Sequence, residues 1–419
     1  MLRRFSLYGF LKNQRYFEPF FLLAMLDKLG SFTMVGLLMG FREICINVME
    51  VPTGAIADVT GRRRAMVLSF VAYIGSFVVF GLCEQAWLMF VAMFLFSVGE
   101  AFRTGTHKAI IFDWLAHEGR ADEKTKVYGL TRSWSKLGSA VNVVLAAGVF
   151  FAVRSYSWLF LICIVPYVGN IVNFLTYPAY LDGRHEGHKS VAQVARTLLD
   201  ALKRCIRSGP LRGLIAESMA YEGTYKVAKD YLQPLLQAAA VATLASAAWL
   251  GDPDQRTAIL IGGVYFVLYI LGSIASRRSH VLADRAGSED RAALWLWVAT
   301  GAAYAAIAGG VALGWAPLAI VAFIALAVLQ NFWRPILITR FTAHADPAQT
   351  ATVLSVENQA KSLAAAVLAP LLGLAVDAMT GSLQLLPVGL VGVAAAGLIL
   401  AGRYLHGRRP PDRSPGPVE

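Results

Sequence analysis

Apolar blocks of about twenty residues recur along almost the whole 419-residue chain, and they constrain the fold more than any other feature. A helix of roughly 20 residues crosses the hydrocarbon core of a bilayer. Lipid offers the backbone no hydrogen-bond partner, so a spanning segment is a helix or part of a closed barrel. Barrel strands read as short segments of alternating polarity, whereas these blocks are long and continuous. Nine stand out on apolarity alone, at about 33–57, 64–83, 138–152, 158–181, 258–275, 292–309, 316–338, 362–377 and 384–402. Three more, near 5–30, 87–111 and 213–247, carry internal charges and complete a set of twelve. The chain therefore reads as an all-α membrane protein with twelve transmembrane helices. Composition agrees: 57% of residues are hydrophobic, 16% are charged, and the mean hydropathy is +0.55. Soluble domains are about a quarter charged.

Charge in the connections orients the spans. One set holds Arg3, Arg4, Arg62, Arg63, Arg64, Arg120, Lys124, Lys126, Lys203, Arg204, Arg207, Arg277, Arg278, Arg285, Arg408 and Arg409. The opposite set holds little beyond Lys28, Arg154 and Arg256. By the positive-inside rule both termini are expected in the cytoplasm. The formal charge of +11 is thus topological, and no nucleic-acid partner is implied. Cys45, Cys83, Cys163 and Cys205 are scattered, without metal spacing or a disulfide framework. The basic, then apolar start "MLRRFSLYGF" is broken by Lys12, Asn13 and Arg15, and reads as a retained first span, not a cleaved leader.

The expected organisation is a six-helix bundle over 1–181, a linker over 182–212, a second bundle over 213–405 and a disordered tail over 406–419. In the linker, Val191, Val194, Ala195, Leu198, Leu199, Leu202 and Ile206 recur at helical spacing beside Arg196, Lys203, Arg204 and Arg207. That is a basic amphipathic helix, suited to the inner leaflet. The halves echo one another. "IADVTG" (56–61) resembles "LADRAG" (282–287), "RSWSKLGSA" (132–140) resembles "ENQAKSLAA" (357–365), and "YFEPFF" (16–21) resembles "YLQPLL" (231–236). Two parallel repeats related by an axis along the membrane normal are a transporter architecture.

Gly54, Asp58, Gly61, Arg62, Arg63 and Arg64 fit the pattern G-x-x-x-D-x-x-G-R-(K/R)-(K/R) between the second and third spans. This resembles the signature loop of the major facilitator superfamily, with a degenerate second copy at Ala283, Asp284 and Gly287. Gly54 is expected to let helices approach and Gly61 to permit a tight turn. The arginines hold the turn on the cytoplasmic side. The resemblance implies that Asp58, paired with Arg62, latches that side in the outward-facing state, and that the protein sits in a bacterial inner membrane. The chain departs from drug-exporter members of that family. Residues 132–149 lack a Gly-Pro-Gly-Gly run, Met93 stands near where their fourth span carries arginine, and Val59 replaces an arginine.

An ionisable group at mid-bilayer costs at least about 2.5–3.5 kcal/mol and normally faces a cavity or a partner. In span 4, Glu100, Arg103, Thr104 and His107 share one helical face. In span 5, Arg132, Ser135, Lys136 and Ser139 do so. Arg15 and Glu18 lie in span 1, and Arg42, Glu43, Asn47 and Glu50 in span 2. Glu222, Lys226, Lys229 and Asp230 lie in span 7, Gln330 and Arg334 in span 10, and Glu357 and Lys361 in span 11. The resemblance implies that spans 1, 4, 7 and 10 surround a central cavity, with 2, 5, 8 and 11 flanking. The candidate substrate or coupling residues are Glu18, Glu100, Arg103, His107, Arg132, Lys136, Glu222, Lys226, Arg334, Glu357 and Lys361. The gating candidates are Gly54, Asp58, Gly61, Arg62, Arg63 and Asp284. Interdomain gate pairs are the competing role for the charges, favoured for Lys226, Lys229 and Asp230. Lys108, Arg340 and Lys12 are expected to snorkel. Aromatic residues Trp134, Trp333, Tyr221, Tyr225, Tyr265 and Phe332 fall on the expected cavity helices, mostly as packing.

No Walker loop, metal spacing or nucleophile elbow occurs in the sequence, so no enzymatic activity, cofactor or metal is expected. The reading is a monomeric secondary transporter of a small, anionic organic solute, with protons as coupling ion. Efflux of amphipathic drugs, or a non-transporting receptor on the same fold, are the alternatives.

Overall fold

The computed structural model describes residues 1–182, 191–243, 252–345 and 350–407. The start of the expected linker and the tail from 408 onward lie outside the described residues, as do the side chains of Asp58 and of 191–195.

Spans 2, 3 and 5 are the helices Phe32–Thr60, Arg62–Leu82 and Lys124–Val153. Spans 8 to 12 are Pro253–Arg277, Glu289–Ala312, Ala316–His344, Thr350–Asp377 and Leu386–Gly407. Span 4 is two helices, Ala86–Arg103 and Thr106–His117, and span 6 is two more, Tyr156–Ile162 and Ile164–Leu175. Among the described residues, ten segments are long and apolar enough to cross a membrane. The first and seventh are interrupted. Span 1 is Leu2–Leu11 and Phe21–Leu29, joined through the Glu18–Phe20 turn. Span 7 runs from Gly209 to Thr243 through a π-helical turn at Met219–Gly223 and a 3-10 turn at Lys229–Tyr231. Both breaks fall on charged residues, so neither segment forms one long apolar helix. Span 5 begins well before the apolar block at 138–152, with most of its polar first turns exposed.

An even number of spans puts both chain ends at one face, here termed the terminal face. At the far face the two bundles are pressed together through spans 2 and 11. A Cβ on Gly36 would lie 2.4 Å from the Ala369 carbonyl oxygen, one on Gly40 2.5 Å from that of Ala366, and one on Gly373 2.3 Å from that of Phe32. Small residues at i and i+4 let membrane helices approach this closely. Pro370 lacks the N–H that would bond Ala366, which frees that carbonyl for the approaching Gly40. Asp377 completes the seal, accepting from the Phe32 and Thr33 backbone N–H at 3.0 and 2.7 Å and from Thr33 Oγ1 at 2.6 Å. Arg154 pairs with Asp252 at 2.7 Å between spans 5 and 8.

At the terminal face each bundle ties to itself. In the first, Gly61 turns with φ +101°, in a place where Asp182 Oδ1 would sit 3.0 Å from any Cβ. Arg62 there pairs with Asp113, and Arg63 with Asp182 at 3.1 Å and the Tyr177 carbonyl at 2.9 Å. In the second, Arg340 is buried, not snorkelling. It pairs with Glu217 at 2.7 Å and Asp290 at 2.8 Å, and Arg403 joins Glu217 at 2.7 Å. Four charges converge on one spot, so Arg340 has nearer partners than the headgroup region. Gly54 is exposed, and a Cβ there would meet nothing within 4 Å, so no close helix approach uses it here. The linker helix Val191–Arg207 buries Ala201 and Cys205 in one apolar cluster with Leu214 and Val356 and leaves Leu199, Leu202 and Ile206 exposed. Burial pushes the Cys205 thiol pKa up.

Candidate transport site between the bundles

Three groups of charge occupy the membrane interior. The first lies inside the first bundle. Glu100 accepts from Arg15 Nη2 at 3.0 Å and from the Tyr73 hydroxyl at 2.5 Å, and also pairs with Arg103 one turn along. Arg15 Nε donates to the Tyr167 hydroxyl at 2.7 Å, and its guanidinium lies 5.1 Å from the Phe96 ring centre. Span 4 breaks directly after this cluster, at Gly105 with φ +82°. His107 is buried below the break, stacked on Tyr8 at 3.8 Å, with Nε2 unpartnered among the described residues.

The second group lies inside the second bundle. Arg334 Nη1 bridges Glu222 at 3.0 Å and Glu357 at 2.8 Å, and Lys361 bridges the same pair at 2.7 and 3.6 Å. Ser218 also donates to Glu357, which is fully buried. Glu222 sits on the π-helical turn, a local widening that recurs at functional sites. Beside it Tyr221 stacks on Trp333 at 4.1 Å and accepts from Thr300 Oγ1 at 2.7 Å, so this pair is packing.

The third group lies between the bundles. Lys226 of span 7 donates to Glu43 of span 2 at 2.5 Å, with Arg42 3.6 Å from the same carboxylate. Lys229 and Asp230 pair with each other at 2.6 Å. Gln233 reaches across to span 1, accepting from the Leu22 N–H at 2.8 Å and donating to the Glu18 carbonyl at 3.2 Å. Two adjoining cavities of about 190 and 260 Å³ open here. The larger is lined by Glu18, Lys136, Tyr225, Tyr265, Tyr269 and Asn331, among others.

The structure thus sorts the sequence candidates. Glu100 and Arg103 join one network, and Glu222, Arg334, Glu357 and Lys361 another. Lys226 crosses between bundles, Glu18 and Lys136 face the open cavity, and His107 is packed away from it. Arg132 is exposed, with no ion pair among the described residues. Asp284 is exposed near the Gly287 turn, and Arg62 and Arg63 sit in the first bundle's terminal network. Sequence reasoning missed Tyr73, Tyr167, Ser218, Tyr269 and Asn331, whose hydroxyl and amide groups leave no charge pattern. It passed over Asp113, and Glu217, Asp290 and Arg403 gave no periodic signal.

Two six-helix bundles enclosing a polar cavity, sealed at one face, define a multi-pass membrane protein of transporter fold. The chain belongs to the major facilitator superfamily, whose family model matches residues 13–369. The uncharacterized MFS-type transporter YxaM of Bacillus subtilis (strain 168) is 21% identical over 223 residues, 52% of this chain and 54% of that relative, so the match spans about half of each. Among solved structures, the nucleoside transporter NupG superposes with a TM-score of 0.77 at 13% identity, covering 96% of this chain and 97% of that one. A bacterial homologue of the human lysosomal transporter Spinster, inward-facing and unoccupied, gives 0.66 at 16% identity, covering 98% of both. These likenesses establish the fold, and they agree with a transport protein and not an enzyme.

Proposed function

We propose that this protein is a secondary active transporter that carries a small organic anion by alternating access, with protons as the coupling ion. The observation that carries the reading is the cavity at the seam of the bundles. Its far side is held shut by contacts between spans 2 and 11, while the described ion pairs of the terminal face stay within each bundle. Such an arrangement fits an access state open toward the terminal face, the side that the positive-inside rule predicts to be cytoplasmic. Rocking of the bundles would exchange the two seals.

The anionic class follows from charge. Arg42, Lys136, Lys226 and Lys229 line the two cavities against Glu18, Glu43 and Asp230, four positive groups to three negative. A low-dielectric cleft of net positive charge concentrates anions. Coupling by protons draws on the half-buried Glu100 and the buried Glu222 and Glu357, each able to exchange a cationic partner for a proton as the bundles move. The test is uptake of labelled organic acids into proteoliposomes under an imposed proton gradient. Accumulation that collapses with the gradient supports the reading. Failure of every acid to accumulate, with the gradient intact, removes it.

A further inference from the structure

We infer that the transported solute is a zwitterion, its cationic centre held by Glu18 and its anionic group by Lys136. The inference rests on the proposed transport function and revises its substrate class, from a simple organic anion to an organic acid that also carries a cationic centre. Glu18 projects from the break in span 1, and Lys136 from the middle of span 5. Both are exposed to the same cavity of about 260 Å³. Neither side chain makes a hydrogen bond or ion pair among the described residues. Their neighbours differ. Lys229 is taken by Asp230 at 2.6 Å, Lys226 by Glu43 at 2.5 Å, and Arg15 by Glu100 at 3.0 Å. The protein has therefore paired these three cations internally and kept one acid and one base apart.

Held apart at mid-membrane, two opposite charges are tolerated while water fills the cavity. When the bundles close, water leaves and each needs a partner, because an unpaired ion in a low-dielectric site is costly. A simple anion satisfies Lys136 but sets its own charge against Glu18. A simple cation does the reverse. A molecule with both signs satisfies both, and its body lies against Tyr225, Tyr265 and Tyr269, whose rings cover apolar groups while their hydroxyls and Asn331 meet polar ones. Discrimination is then strong, since an analogue lacking one charge leaves a protein ion unpaired.

The experiment uses the purified full-length protein and a fixed panel: the α-amino acids, their N-acetyl derivatives (anionic) and their methyl esters (cationic). Binding is read as ligand-induced thermal stabilisation. At least one free amino acid is expected to bind about tenfold or more tightly than both of its derivatives, tenfold being about 1.4 kcal/mol. Glu18→Gln should erase the preference over the N-acetyl form, and Lys136→Gln the preference over the ester. The midpoints of the unliganded variants should match the parent, which separates lost binding from lost folding. N-acetyl forms that bind as well as free amino acids overturn the inference while leaving an anion transporter. Preference for the esters overturns both readings. A panel that stabilises nothing also counts against the zwitterion, whereas gradient-driven uptake of an organic acid would still uphold the proposed function.

Discussion

The two intra-bundle networks solve one problem with opposite signs. In the first bundle the acid is on span 4 and the base on span 1, Glu100 with Arg15. In the second the acid is on span 7, the counterpart of span 1, and the base on span 10, Glu222 with Arg334. The first network sets one carboxylate against two arginines and recruits the phenols of Tyr73 and Tyr167 from the outer spans 3 and 6. The second balances two carboxylates with two cations and adds a hydroxyl, Ser218, from its own helix. What the two halves share is the place of a neutralised charge cluster, not its polarity. Lipid requires neutralisation, and either sign order supplies it. The difference should appear as brittleness, since the first network hangs on a single carboxylate.

Glu100→Gln breaks the comparison hardest. It leaves two guanidiniums facing each other, and removing one partner of a largely desolvated ion cluster costs up to about 3–5 kcal/mol. The thermal midpoint of the purified variant should fall more than for any substitution below, and an unchanged midpoint would mean that water already screens Arg15 and Arg103. Lys361→Met should cost less, about 1–3 kcal/mol, because Arg334 still bridges both carboxylates. A loss equal to that of Glu100→Gln would erase the proposed contrast.

Gly40→Val tests the far seal. Its Cβ would meet the Ala366 carbonyl at 2.5 Å, so spans 2 and 11 must part. Overpacking of this kind costs about 1–3 kcal/mol, and the cost falls on one access state only. Single-cysteine labelling from the far face should rise for cavity positions such as Asn331→Cys, and labelling that stays the same would show that the seal tolerates the bulk. Lys226→Met removes one tie to the buried Glu43 and should shift the same labelling by only a few-fold, because Lys226 is itself partly exposed and Arg42 stays 3.6 Å from the carboxylate. The smallest effect belongs to the exposed connection before span 5. Hydrogen bonds from Arg120 hold the Glu123 carboxyl below its ordinary value of 4.5. Its contribution is complete above that value and lost as pH falls through the lower folded value. Glu123→Gln should therefore leave the midpoint unchanged in acid and lower it only slightly at neutral pH.

Much of this architecture is legible in the sequence because a bilayer makes length and polarity decisive. Spans 2, 3 and 8 to 12 are apolar runs that can do little else. The face shared by Glu100 and Arg103 follows from helical spacing, as does that of Glu357 and Lys361. The spacing of span 7 did not reveal its π-helical turn, which depends on packing around Glu222. Nor could it give Arg340 its two carboxylate partners, since Glu217 and Asp290 come from different helices, or bring Arg403 from a third onto Glu217.

The sequence by itself determined how many helices cross the membrane, which of them carry charge, and that the halves repeat, because each follows from what one helix can bury in lipid. Only the tertiary structure decided which charges meet. An ion pair needs two groups within about 4 Å, and that distance is set by helix packing across residues far apart in the chain. It joined Glu100 to Arg15 and Glu222 to Lys361, and it left Glu18 and Lys136 facing the same open space.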